Sequence, residues 1–262
     1  MSTTKKYKIL RNDTIIYKGV KLYRIQALKS FNDVEKGDLG GYIQKHQNLS
    51  HDGNCWVYDS AKVFGEALVE DNAEIHNQAT IYGSALIAHD AKIFDNASVF
   101  KLGRVFNNAC IFNNVKIYGH TIVCDRAELY DNAEVFNDAM VFGNAVIEDN
   151  AKICNSAKVS QYAKVYNNAI ISNKAHIKGM AVINGNAQID SNRKYITMSN
   201  VGSRDDSITF YLSDNEIYVN TGCFHNTLKV FEKQVRVKHA GSIYEKEYND
   251  CIKLAKTKLS YN

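Results

Sequence analysis

The sequence predicts a mainly β protein: a parallel β-helix of 18-residue triangular coils, with a small β cap before it and an α+β domain after it. Three observations carry that reading. Every sixth residue from Val57 to Ile189 is Val, Ile or Leu, 23 sites without a miss. Four places after each comes Ala, the exceptions between 61 and 187 being Gly103, Val115 and Thr121. Two places after each comes mostly Gly, Asn or Asp, as at Gly65, Asp71, Gly83, Asp131 and Gly143.

The first element, residues 1–54, is expected to be a β cap. YKILRNDTIIYKGVKLYRIQAL alternates like two strands joined through Lys18-Gly19. Gly37, Gly40 and Gly41 then mark turns. An open coil end is an unpaired edge, and a cap covers it.

Residues 55–190 form the repeat. A period of six matches neither 3.6 nor seven, which excludes helices, but it matches a short strand followed by a turn. Side chains alternate along a strand, so Ala-x-Val puts the small and the aliphatic residue on one face. The Gly/Asn/Asp position tolerates the left-handed backbone that a tight corner needs. Three units close a triangle, and about 7.5 coils stack into a solenoid.

From residue 191 to 262 the period is absent and a compact α+β domain is expected. Short strands turn at Ser213-Asp214-Asn215. A first helix starts near Asn226/Thr227 with Leu228, Phe231 and Val235 inward. A second helix carries the stripe Tyr244, Tyr248, Ile252, Ala255 and Leu259.

The run of aliphatic residues, each followed four places later by a small one (Val63/Ala67 and onward), resembles the hexapeptide-repeat, left-handed β-helix proteins. The left hand comes from that resemblance, since chain chirality ordinarily favours right-handed crossovers. The family commonly has Gly or Asp directly after the aliphatic residue. Here that place is often aromatic (Phe94, Phe112, Tyr130, Phe136, Phe142) and Gly moves one residue on. Phe31 to Asp59 resembles the N-terminal part of an uncharacterised acetyltransferase branch in enterobacteria, with relatives in phages and prophages. The GSR, TFY, GCF and TL segments (Gly202–Arg204, Thr209–Tyr211, Gly222–Phe224, Thr227-Leu228) are similar to C-terminal domains of phage and prophage proteins.

Residues 18 apart should lie one above another. Gln78, Asn96, Asn114, Asn132, Asn150, Asn168 and Asn186 make one such column, expected to be a structural amide ladder. Leu68, Leu86, Arg104, Ile122, Met140, Lys158 and His176 make another, flanked by Ala88, Phe106, Cys124 and Phe142. An outward apolar strip needs covering. The resemblance implies a homotrimer, so Leu68, Leu86, Phe106, Ile122, Met140 and Phe142 are the expected subunit interface. A terminal domain folded over the strip is the competing reading.

A net charge of +4 does not argue for nucleic acid. The six cysteines show no zinc-like spacing, so no metal is expected, and unpaired thiols suit a reducing cytoplasm. The stretch MSTTKKYKIL has no apolar h-region and no run approaches 18 apolar residues, so a soluble cytoplasmic protein is expected. If the chain is phage-encoded, the host-cell cytoplasm is the expected location.

Gly202-Ser203-Arg204 is the candidate ligand element. A Gly-Ser turn presents N–H groups and a hydroxyl, and Arg supplies a fork for phosphate or carboxylate. Thr209, Tyr211 and Thr221 would add hydroxyls if the strands pair. The structural alternative is Arg204 paired with Asp205 or Asp206. Cys223 between Gly222 and Phe224 invites a nucleophile reading with His225 or His239 as base, against a default of buried cysteine. For catalysis in the coils, the family implies acyl-CoA and a histidine base. Of His76, His89, His120 and His176, only His176 lies on the interface strip. The leading expectation is a non-catalytic trimer that needs no cofactor and sequesters a small anionic ligand. A nucleotide, such as a cyclic-nucleotide immune signal, would fit a phage role against host defence. The alternatives are an acyl-CoA-dependent transferase using His176, or a structural or host-protein-binding phage component.

Overall fold

A computed structural model describes residues 5–260; residues 1–4 and 261–262 of the two terminal segments lie outside it. The repeat folds as the expected left-handed parallel β-helix. Its short strands stack into three sheets of eleven, eight and seven strands, the largest including three strands of the cap. Partners are 18 residues apart throughout, as in Lys92 with Cys110 and Ile122 with Met140. The aliphatic residues and alanines point inward and are fully buried, as at Val63, Ile75, Ala79 and Val135. Only a small side chain fits beside each aliphatic one inside so narrow a triangle, which explains the alanines.

Each residue two places after an aliphatic site, from Asp59 to Gly185, has positive φ. The non-glycine ones include Asp71 (58°), Asn113 (54°) and Gln161 (64°). Asn and Asp visit this region at lower cost than other side-chain-bearing residues. They also serve a second purpose. At one corner each side chain accepts the backbone N–H of its successor one coil on: Asp59 from Asn77 (2.9 Å), Asn77 from Asp95 (3.2 Å), and so to Asn167 from Gly185 (3.3 Å). The expected amide ladder also forms, from Asn96 to Asn114 (3.3 Å) and on to Asn186.

The aromatic residues that depart from the family pattern stack face to face outside two corners. Phe64, Tyr82, Phe100, Tyr118 and Phe136 make one column at centroid spacings of 4.9–5.2 Å. Tyr58, His76, Phe94, Phe112 and Tyr130 make the other, at 4.1–5.2 Å. The coil repeat sets this spacing, which is within the range of favourable ring contacts.

In the cap, β1 (Tyr7–Tyr17) and β2 (Val20–Ala27) form the expected hairpin through Lys18 (φ 48°) and Gly19 (φ 77°). β3 (Leu39–Ile43) pairs antiparallel with β2 and parallel with the coil strand Lys62–Val63. Gly40 and Gly41 lie within β3 and do not mark turns. A Cβ on Gly40 would come 2.6 Å from the Val57 carbonyl oxygen, and one on Gly41 would come 2.5 Å from that of Ala61. They are glycines because two backbones approach closely. Lys6 is buried, its Nζ donating to the carbonyls of Asp52, Gly53 and Cys55 (3.3, 3.2 and 2.9 Å), and burial lowers its pKa.

After the coils come β4 (Tyr195–Val201), β5 (Asp206–Ser213), β6 (Glu216–Thr221) and β7 (Phe224–Thr227), an antiparallel sheet in sequence order. The β5–β6 turn is at Asp214-Asn215, both in the left-handed region. α1 (Leu228–His239) and α2 (Ile243–Leu259) follow. Leu228, Phe231 and Val235 of α1 are buried as expected. On α2, Cys251 joins the buried stripe and Tyr244 is exposed instead. The helices cover one face of the sheet, packing on Ile208, Phe210 and Val219. The other face closes the end of the solenoid, where Tyr195 and Tyr211 join the coil core. Among the described residues, no helix is long and apolar enough to cross a membrane.

Candidate ligand-binding site

β4 leads into the turn Gly202–Arg204, and Asp205 (φ 48°) redirects the chain into β5. Gly202 is at φ 73°, and a Cβ there would come 1.9 Å from the Tyr248 hydroxyl oxygen. Its N–H donates to the Glu247 carboxylate at 3.1 Å, so α2 holds the turn from both sides. Opposite, β6 and β7 are joined through Gly222-Cys223, with Gly222 at φ 52°.

Between these two turns and α1 lies a cleft of about 380 Å³. Ser203, Arg204 and Thr221 line it, joined by Lys238 and His239 from the last turn of α1. Phe224, Phe231 and Tyr248 form its aromatic wall, Phe231 meeting Tyr248 edge-on at 5.5 Å. Burial pushes the Tyr248 phenol up, which keeps its hydroxyl a donor at neutral pH. Among the described residues, the exposed Arg204 guanidinium has no ion pair within 4.0 Å, so the pairing with Asp205 or Asp206 is not formed. Arginine, lysine and hydroxyl donors beside an aromatic wall suit an anion that carries a ring.

The structure separates the five candidate ligand residues. Thr209 and Tyr211 are buried on the opposite face of β5, against the coils. Thr209 Oγ1 accepts the Val182 N–H at 3.1 Å and contacts Thr197 Oγ1 at 3.1 Å. Tyr211 donates to the Asn184 side-chain oxygen and lies 3.1 Å from His225 Nε2. Strand alternation decides this: Ile208, Phe210 and Leu212 face the helices, so 209 and 211 must face the other way.

Cys223 also lines the cleft and is exposed, which corrects the buried default. Among the described residues its thiol makes no hydrogen bond, and the nearby His225 is held by Tyr211. Burial raises the pKa of the thiols of Cys55, Cys110, Cys124, Cys154 and Cys251, Cys124 to about 11.

The four coil histidines occupy three settings. His76 sits within an aromatic stack, 3.0 Å from a Glu74 oxygen. His89 and His120 are exposed in turns. His176 Nε2 bonds Ser160 Oγ at 2.8 Å. Burial, then Lys178 and Lys158, lower the His176 pKa, so its imidazole is neutral at neutral pH. On the same sheet Leu68, Leu86, Ile122 and Met140 are half-buried, with Phe106 and Phe142 at the corner. The C-terminal sheet meets mainly the coil strands Val182–Ile183 and Gln188–Ile189 on the other two faces, and touches this one where the Tyr195 hydroxyl donates to the His176 carbonyl at 2.5 Å.

Lys238, Phe224 and Tyr248 escape sequence reading as site residues, and His239 enters it only as a base for Cys223. Lys238 looks like a helix C-terminus and the aromatics like core, and only the packing of α1 and α2 over the turns brings them together.

No family model matches the chain. Over 67 residues it is 40% identical to the uncharacterized acetyltransferase YdcK of Escherichia coli (strain K12). The match spans 25% of this chain and 21% of that protein, so about a fifth of the relative's length is covered.

Proposed function

We propose that this is a ligand-binding protein in which the β-helix is a rigid stalk and the C-terminal cleft takes a small anionic molecule of the nucleotide class. The unpaired Arg204 guanidinium, opening into a cleft that also holds Lys238 and an aromatic wall, carries the reading. An anion there gains charge-assisted hydrogen bonds, and a base gains ring contacts. Three copies assemble through the strip Leu68, Leu86, Ile122, Met140, Phe106 and Phe142, which places three clefts in fixed relation. Sequestration without turnover needs no base. If the chain acts in a phage-infected cell, withholding a nucleotide signal from host defence is the role that fits.

Native mass spectrometry after incubation with pooled nucleotides, cyclic nucleotides and acyl-CoAs tests this. A nucleotide released intact by heat, and lost on Arg204→Ala with the oligomer mass kept, supports sequestration. Acyl-CoA consumption abolished by His176→Ala would replace it with acyl transfer, the activity named for the partial relative. Binding of none of these would overturn both readings in favour of a structural or protein-binding role.

A further inference from the structure

A second cleft, of about 530 Å³, lies on the other side of the Gly222-Cys223 turn. The two clefts share Asp206, Thr221, Gly222, Cys223 and Phe224 as a common wall. Beyond it the second cleft is built from the solenoid, by Tyr162, Lys164, Tyr166, Met180 and Val182, with His225 from β7. We propose that the two clefts form one bipartite site for a dinucleotide, with one nucleotide at Arg204 and the other against the stalk. This rests on the nucleotide reading of the first cleft and specifies its ligand.

Three observations support the pairing. Tyr162 and Met180 are 63% and 51% exposed, and both line this cleft, where together they form an exposed apolar patch. They are 18 residues apart, so they stack on adjacent coils as a platform for a ring, with Ser207 Oγ 3.3 Å from the Met180 sulfur at its edge. Lys164 lies beside them with no carboxylate within 4.0 Å among the described residues, a second cation for a second phosphate.

The common wall is low where the ligand must cross. Gly222 has no side chain, and a Cβ there would meet only Arg204 Nη1 (3.4 Å) and Asp206 Oδ2 (3.6 Å). A carboxylate at the crossing repels phosphate but accepts from a ribose hydroxyl or a base amine. The order along the site is therefore phosphate at Arg204 and Lys238, hydroxyl or amine at Asp206, and ring and phosphate at Tyr162 and Lys164. Each cleft falls within the roughly 300–1,000 Å³ usual for a small-molecule pocket.

The test is calorimetric titration of the full chain with AMP, linear di-adenylate, cyclic di-adenylate and coenzyme A. The proposal expects at least one dinucleotide to bind 30-fold or more tighter than AMP. Tyr162→Ala should remove about tenfold of that advantage, as loss of one stacked base implies. Gly222→Asn, which suits the positive φ that Asn adopts at so many corners here, should block the crossing and abolish the advantage. AMP and both dinucleotides binding equally, all weakened by Arg204→Ala, would overturn the bipartite site and leave the nucleotide reading standing. Coenzyme A binding tighter than either dinucleotide would overturn it in favour of that ligand. Failure of all four would overturn both.

Discussion

Thr209 and Val182 join the two halves of the molecule: the threonine hydroxyl accepts the Val182 N–H at 3.1 Å, while Asn220 Nδ2 donates to the Val182 carbonyl at 2.9 Å. In every earlier coil such groups meet the next turn of backbone, as Lys164 N–H meets the Ala181 carbonyl at 2.8 Å. At the last coil two side chains of the C-terminal sheet take that place, so the Val182 strand does not end in an open edge.

Thr209→Val should therefore destabilise the protein although it keeps the shape. It leaves a buried N–H unpartnered, at a cost of about 1–3 kcal/mol. Chemical denaturation measures the loss, and hydrogen exchange at Val182 should quicken. Ligand affinity at Arg204 should not change, which separates Thr209 from the cleft it was expected to join.

His76 should prove structural. His76→Phe keeps the stack between Tyr58 and Phe94, and Glu74 retains Lys92 at 2.9 Å. His76→Ala loses two ring contacts, each worth about 0.5–1.5 kcal/mol. Thermal melts should place the phenylalanine variant near the parent and the alanine variant clearly below it.

Corner asparagines have two duties that substitution can separate. Asn113 adopts φ 54° and accepts the Asp131 N–H at 3.2 Å. Asn113→Gly keeps the backbone freedom and loses the acceptor. Asn113→Ala loses both, adding about 1–2 kcal/mol of left-handed strain. Denaturation midpoints should fall in the order parent, glycine, alanine.

The proposed trimer interface can be tested without touching either cleft. Leu86→Asp combined with Met140→Asp puts carboxylates on the strip three coils apart, and burying unpaired charge is costly. The oligomer mass should drop to that of one chain, while melting of the β-helix stays cooperative.

Acid should loosen the cap. Burial, and then neighbouring charge, lower the pKa of His46 (Lys5) and of His51 (His46, Lys6 and Lys5, against Asp52). A histidine with a depressed folded pKa binds its proton more readily when unfolded. Its neutral form supports folding above the ordinary value near 6.5, and that support declines as pH falls toward the folded pKa. Melting temperature should fall between about pH 7 and pH 5, and His51→Gln should flatten that slope.

The β-helix was legible because its restraint is local and repeated. Each six-residue unit needs an aliphatic residue, an alanine and a corner residue at fixed offsets, and one unit's requirement is the next unit's. The hairpin at Lys18-Gly19 and the turn at Asp214-Asn215 were legible for the same reason, since positive φ selects residue type. Gly40 and Gly41 were misread because a glycine that makes a turn and one that lets a neighbouring strand approach look alike in sequence. Cys251 replaced Tyr244 on α2 because the sheet beneath, which sequence periodicity does not see, sets which side of the helix is covered.

The site divides along the same line. Sequence by itself determined the solenoid, its register of 18 and the turn that bears Ser203 and Arg204. Tertiary structure decided that Thr209 and Tyr211 serve the junction with the coils, and that Lys238, Tyr248 and Phe224 surround Arg204. The physical reason is that a repeat satisfies its backbone by pairing with itself at a fixed separation. A cleft between two turns and two helices instead depends on contacts 20 to 45 residues apart, such as Gly202 with Glu247, which no local period encodes.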